Sequence, residues 1–194
     1  VFDFNKKEFS EKLIEELVVN NITPYALINN ARNIENLDVN NEFISEVNWL
    51  KEFNIAVIAS YKIVIGLIEM KKSQLKRVIN ISSIYGVVAV NSSMKTNKGK
   101  LTPMHYGVCK AALIHLTKEL TAKYGKKLTF NSVSFGGVEG RASESFKKKY
   151  SNLCPNGRML LIDEIIEPIN FLLSSNSSGI NGHNLVVDGG CTIW

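Results

Sequence analysis

Tyr106 and Lys110 lie four residues apart, in a stretch over 105–124 whose apolar positions Val108, Ala111, Ala112, Leu116 and Leu120 recur at helical spacing. Side chains four apart on a helix share one face. A tyrosine donates a proton poorly at neutral pH, and an ammonium one turn away lowers its pKa by favouring the charged form. These two residue types at this spacing make an acid/base unit. The same spacing also describes an amphipathic surface helix, so the pair needs its surroundings.

Those surroundings are three strand ends. The apolar run Val78-Ile79-Asn80-Ile81 ends in the hydroxyls of Ser82 and Ser83, followed by Ile84-Tyr85-Gly86. Leu27-Ile28 ends in Asn29, Asn30 and Ala31, and Val133-Ser134-Phe135 ends in Gly136, Gly137 and Val138, where a ligand can approach bare backbone. Open parallel sheets bind ligands at the carboxyl ends of their strands. Strands are expected at 25–29, 78–82, 128–134 and 184–187, and helices at about 6–19, 43–70, 105–124 and 163–174. This alternation implies an α/β fold: a doubly wound, Rossmann-like parallel sheet with helices on both faces. Asp3 or Asn5 is available to cap the first helix, Pro168 marks a kink or a lost hydrogen bond in the last, and 136–155 reads as an irregular flap. The apolar stretch 53–70, interrupted by Asn54, Ser60, Lys62 and Glu69, reads as a core or interface helix rather than a membrane span.

The 194 residues carry 23 Lys+Arg against 18 Asp+Glu, a net charge of +5, and are 45% hydrophobic, which excludes disorder as the main state. The lysines come in short runs such as Lys147, Lys148 and Lys149, the pattern of a solvated helix face, so no nucleic-acid partner is expected. Cys109, Cys154 and Cys191 have no metal-ligand spacing; neither a zinc site nor a disulfide framework is expected, and a cytoplasmic location fits. His105, next to Tyr106, reads as a solvent-facing helix-start residue ahead of the other reading, a substrate contact.

Taken together, the motifs resemble the short-chain dehydrogenase/reductase family. Asn29-Asn30-Ala31 resembles its Asn-Asn-Ala-Gly, Asn54 falls at its helix asparagine, Ile81-Ser82-Ser83 resembles its serine strand, and Tyr106-x-x-x-Lys110 resembles its catalytic pair. Val187-Asp188-Gly189-Gly190 is similar to its usual ending. The resemblance implies an NAD- or NADP-dependent oxidoreductase moving hydride between the cofactor and a carbonyl or alcohol on a small-molecule substrate. By it, Tyr106 is the proton donor or acceptor and Ser83 holds the substrate oxygen. Lys110 tunes Tyr106 and binds the nicotinamide ribose, and Asn54 holds a water in the relay. Asn30, Ala31, Gly136, Gly137 and Val138 contact the cofactor. Asp3 either receives the adenine or caps a helix. A homodimer or homotetramer follows, with 53–70 and 106–124 at the interface.

Several positions depart from the family. Arg32 replaces the motif's glycine and either crowds the cofactor or points to solvent; Phe135 replaces a proline, and Gly140 stands where a threonine is usual. The glycine-rich dinucleotide fingerprint belongs upstream of Asp3 and is absent from these residues, so the resemblance implies one domain over 1–194 without the first part of the Rossmann unit. Weak NAD(P) binding is then expected, and the alternative is a non-catalytic fragment or pseudoenzyme that binds partners. The interval of 23 residues from Ser83 to Tyr106 is longer than usual, with a polar insertion at 91–100. With Thr102-Pro103-Met104-His105 and Pro155-Asn156-Gly157-Arg158-Met159, it resembles the flagellin modification protein A branch, which implies a nonulosonic-pathway sugar as substrate.

Overall fold

The computed structural model describes residues 2–4, 6–37, 43–94, 101–140 and 142–193. Asn5, Trp194 and part of the polar insertion (95–100) lie outside them. Four parallel strands, β1 (Ala26–Asn29), β2 (Arg77–Ser83), β3 (Thr129–Phe135) and β4 (Asn184–Val187), pair in the order β1-β2-β3-β4. In register, Asn29 stands beside Asn80 and Ser83 beside Phe135, so the polar ends of β1, β2 and β3 lie along one edge.

The sheet is covered on both sides, as parallel sheets require. Val78 and Phe130 join Ala59, just before α3 (Ser60–Glu69), Val64 and Leu67 within that helix, Phe9 of α1 (Phe9–Val19) and Leu120 of α4 (Met104–Tyr124) in the largest apolar cluster. Ile79 and Val133 face the other way, onto Leu172, Ile169 and Leu173 of α6 (Ile166–Leu173). This period-two alternation, with β3 buried from Thr129 to Ser134, is that of a central strand between two helical layers. The doubly wound expectation holds.

Several local expectations change. The helix expected at 43–70 is α2 (Glu46–Phe53), a π-helical segment (Asn54–Ala59) and α3, with Ser45 accepting the Asn48 N–H as N-cap. The first helix starts at Phe9 with Glu8 at the cap position, so Asp3 is not its cap; the Asp3 carbonyl instead accepts the Lys6 N–H. The stretch expected as an irregular flap contains α5 (Glu144–Ser151), capped by Ser143, whose oxygen accepts the Phe146 N–H. Pro168 neither kinks nor interrupts α6: a 3₁₀ turn (Ile162–Ile165) precedes the helix and leaves the proline in its first turn, where N–H groups have no intrahelical partner. On α4 the buried stripe is His105, Cys109, Lys110, Leu113, Thr117 and Leu120, while Val108 and Ala111 face outward. The stripe carries polar residues because β2 offers polar partners: the Asn80 side-chain amide donates to Thr117 Oγ1 at 2.9 Å, and Ser82 Oγ donates to the Lys110 carbonyl at 3.0 Å.

Candidate active site

Packing of the β2 end against α4 builds the site. The short turn Ile84–Gly86 runs directly onto the helix, and a Cβ at Gly86 would lie 2.8 Å from the Lys110 carbonyl carbon, so only glycine permits this approach. Ser83 ends the strand and caps the turn, its Oγ accepting the Tyr85 N–H at 3.2 Å. Accepting there leaves the hydroxyl hydrogen to donate elsewhere.

Lys110 is tied to β2 at both ends. Its carbonyl takes the Ser82 hydroxyl, and its Nζ donates to the Ile81 carbonyl at 2.7 Å. Burial pushes its pKa down to about 8; the buried carboxylate of Glu52 opposes that shift, and the Arg32 charge adds to it. Nζ lies 5.7 Å from the centre of the Tyr106 ring, and the Arg32 guanidinium carbon lies 5.0 Å from the same centre. One ring thus sits among two cations. Arg32, left open by its residue type, turns toward the tyrosine.

Behind the pair lies a polar cluster that sequence reasoning missed. His105 is fully buried rather than solvent-facing: one ring nitrogen, Nε2, is 2.8 Å from the Asn36 carbonyl oxygen, and Trp49 packs at 5.8 Å. The Asn36 side-chain amide donates to Glu52 at 3.4 Å. No spacing rule singles out a buried glutamate or histidine whose partners lie on other segments of the chain. Cys109, next to Lys110, is a buried thiol whose pKa is pushed up to about 12 by desolvation, which suits packing and not nucleophilic work.

The remaining expected residues are placed as follows. Asn54 opens the π-helical segment, and its side-chain amide donates to the Phe4 carbonyl at 3.0 Å, joining the helix to the N-terminal segment. Such π-turns recur at functional sites. Asn30 and Ala31 are exposed just past β1, and Asp3 is exposed. Gly136 and Gly137 leave β3 against Tyr150, whose hydroxyl accepts the Gly137 N–H at 2.7 Å, so their missing side chains make room for protein. Val138 bridges to Leu160. Asn30, Ala31, Ser83, Lys110 and the Gly136 turn all fall at the carboxyl edge of the sheet. One described cavity, about 620 Å³, lies elsewhere, between Asn156–Glu167 and Val186–Gly190, and includes none of these residues.

These groups fit the nicotinamide end of a dinucleotide. The ammonium of Lys110 has three N–H donors and spends one on Ile81, leaving others for ribose hydroxyls beside a tyrosine and a serine hydroxyl.

The sequence model of the enoyl-(acyl carrier protein) reductase family matches residues 1–192, and the chain belongs to that family, within the short-chain dehydrogenase/reductases. It is 32% identical, over 121 residues, to the post-translational flagellin modification protein A of Campylobacter coli, covering 62% of this chain and 47% of that one. It is 29% identical, over 153 residues, to a 3-oxoacyl-(acyl carrier protein) reductase of Chlamydia trachomatis, covering 76% and 58%. The chain therefore spans about half the length of these relatives. The crystal structure of a short-chain dehydrogenase from Leptospira borgpetersenii with bound NAD+ superposes with a TM-score of 0.85 at 26% identity, covering 98% of this chain and 73% of that one. No helix among the described residues is long and apolar enough to cross a membrane.

Proposed function

We propose that the protein is an oxidoreductase that moves a hydride between NAD or NADP and a carbonyl or alcohol carbon, with Tyr106 transferring the proton. The observation that carries this reading is the Lys110 ammonium, buried, anchored to Ile81 and 5.7 Å from the Tyr106 ring. Bound nicotinamide supplies or accepts the hydride. Tyr106 gives its hydroxyl proton to the substrate oxygen in reduction and takes it back in oxidation. Ser83 donates its free hydroxyl hydrogen to the same oxygen. Lys110 stabilises the phenolate and holds the nicotinamide ribose. Asn54 fixes the helix against the N-terminal segment and holds a water in the proton relay. Asn30, Ala31, Gly136, Gly137 and Val138 line the cofactor side, and Asp3 stands toward the adenosine end.

The likeness to the flagellin modification protein A of Campylobacter coli supports a part in flagellin modification, and with it this reading takes a nonulosonic-pathway sugar as the substrate. Exposed Val47, Leu50, Phe53, Ile58 and Tyr61 on the run 46–69, with Met104 and Val108 on α4, support a homodimer or homotetramer formed through this face. Fluorescence titration of the full chain with NADH and NADPH tests the reading. Saturable binding weakened by Lys110→Ala is expected, and binding of either cofactor that is indifferent to Lys110→Ala contradicts it.

A further inference from the structure

We propose that Arg32 makes this site select a substrate carrying a carboxylate within two carbons of the reacting carbonyl or alcohol carbon. The inference rests on the reading of Tyr106 as the acid/base. Arg32 follows β1 by three residues, on the edge where the strand ends meet, and its guanidinium carbon lies over the Tyr106 ring, 5.0 Å from its centre. Two cations share that ring, and their situations differ. Lys110 is buried, spends a donor on Ile81 and has the buried Glu52 carboxylate near it. Arg32 is exposed, and among the described residues no carboxylate forms an ion pair with it. Among the described residues, its charge beside the tyrosine is therefore without an acidic partner.

A guanidinium presents paired N–H donors in a planar fork that matches the two oxygens of a carboxylate. Its attraction to the Tyr106 ring holds the guanidinium near the tyrosine, so less rotamer freedom is lost on binding. A substrate whose reacting oxygen meets the Tyr106 and Ser83 hydroxyls would bring a carboxylate one or two carbons away within reach of Arg32. A neutral isostere leaves the cation without a partner and is disfavoured.

The test uses acetoacetate, its uncharged methyl ester and inorganic phosphate as probes, with binding to the full chain followed by saturation-transfer NMR, with and without NAD+. Acetoacetate is expected to bind more tightly than the ester. Arg32→Gly and Arg32→Met should each weaken acetoacetate by about tenfold or more and leave the ester unchanged, with Arg32→Lys intermediate because it keeps the charge and loses the fork. Equal binding of acid and ester, no detectable acid binding, or an acid affinity indifferent to Arg32→Gly overturns the proposal. Phosphate competing as well as acetoacetate overturns the carboxylate assignment. Intact Arg32-dependent binding without any turnover would instead contradict the oxidoreductase reading and leave this one standing.

Discussion

The Nζ of Lys110 stands 5.7 Å from the centre of the Tyr106 ring and is held 2.7 Å from the Ile81 carbonyl oxygen, so strand β2 fixes the charge that sits on the tyrosine. A lysine on a free helix face would sample many rotamers. This one is pinned at the carbonyl above and through Ser82 below, and its burial makes its protonation state responsive near neutral pH.

That responsiveness sets a pH dependence. With its pKa at about 8, Lys110 loses its proton as pH rises through that value, and reduction should slow above it. Glu52 favours the charged form, so Glu52→Gln should move the decline to lower pH; a pH–rate profile of both proteins checks this. Stability runs the other way. The folded pKa lies below the ordinary 10.5, so the unfolded chain binds more protons between about pH 8 and 10.5, and stability from this group rises with pH across that window. Lys110→Met should abolish the rise in urea titrations.

Gly86→Ala tests the contact that joins strand end to helix. The new Cβ meets the Lys110 and Ala111 backbone at 2.8 to 3.0 Å, and backbone cannot swing aside. Destabilisation of about 1–3 kcal/mol by chemical denaturation is expected. A displaced Lys110 should lower turnover further than the stability loss explains.

Tyr150→Phe removes the acceptor of the Gly137 N–H, a 2.7 Å hydrogen bond from a buried tyrosine. An amide left without a partner costs about 1–3 kcal/mol. Urea denaturation should show that loss, and a wild-type midpoint would mean that the turn after β3 does not depend on this bond.

Much of this architecture was legible in the chain. Apolar runs of strand length with polar ends gave all four strands within a residue or two, since parallel strands buried on both faces read as nearly continuous apolar segments. Ser83 was found because it ends a strand in hydroxyls, and Tyr106 and Lys110 because they stand one helical turn apart. The buried side of α4 was misread because periodicity counts only apolar residues, whereas His105, Lys110 and Thr117 are buried there through partners on other segments. Helix α5 went unseen because its lysine run, Lys147 to Lys149, gives it almost no apolar stripe. The π-helical segment at Asn54 has no signature in periodicity. The direction of Arg32 depends on where Tyr106 lies in space, 74 positions further along.

The most direct test of the central claim is Tyr106→Phe in the full chain, with steady-state turnover of reduced nicotinamide cofactor measured beside cofactor affinity. Removing only the hydroxyl should lower kcat by about 10² or more and leave the cofactor Kd nearly unchanged, because the ring and its cations remain. A Tyr106→Phe protein that turns over at the parent rate would contradict the assignment of Tyr106 as the proton-transferring group.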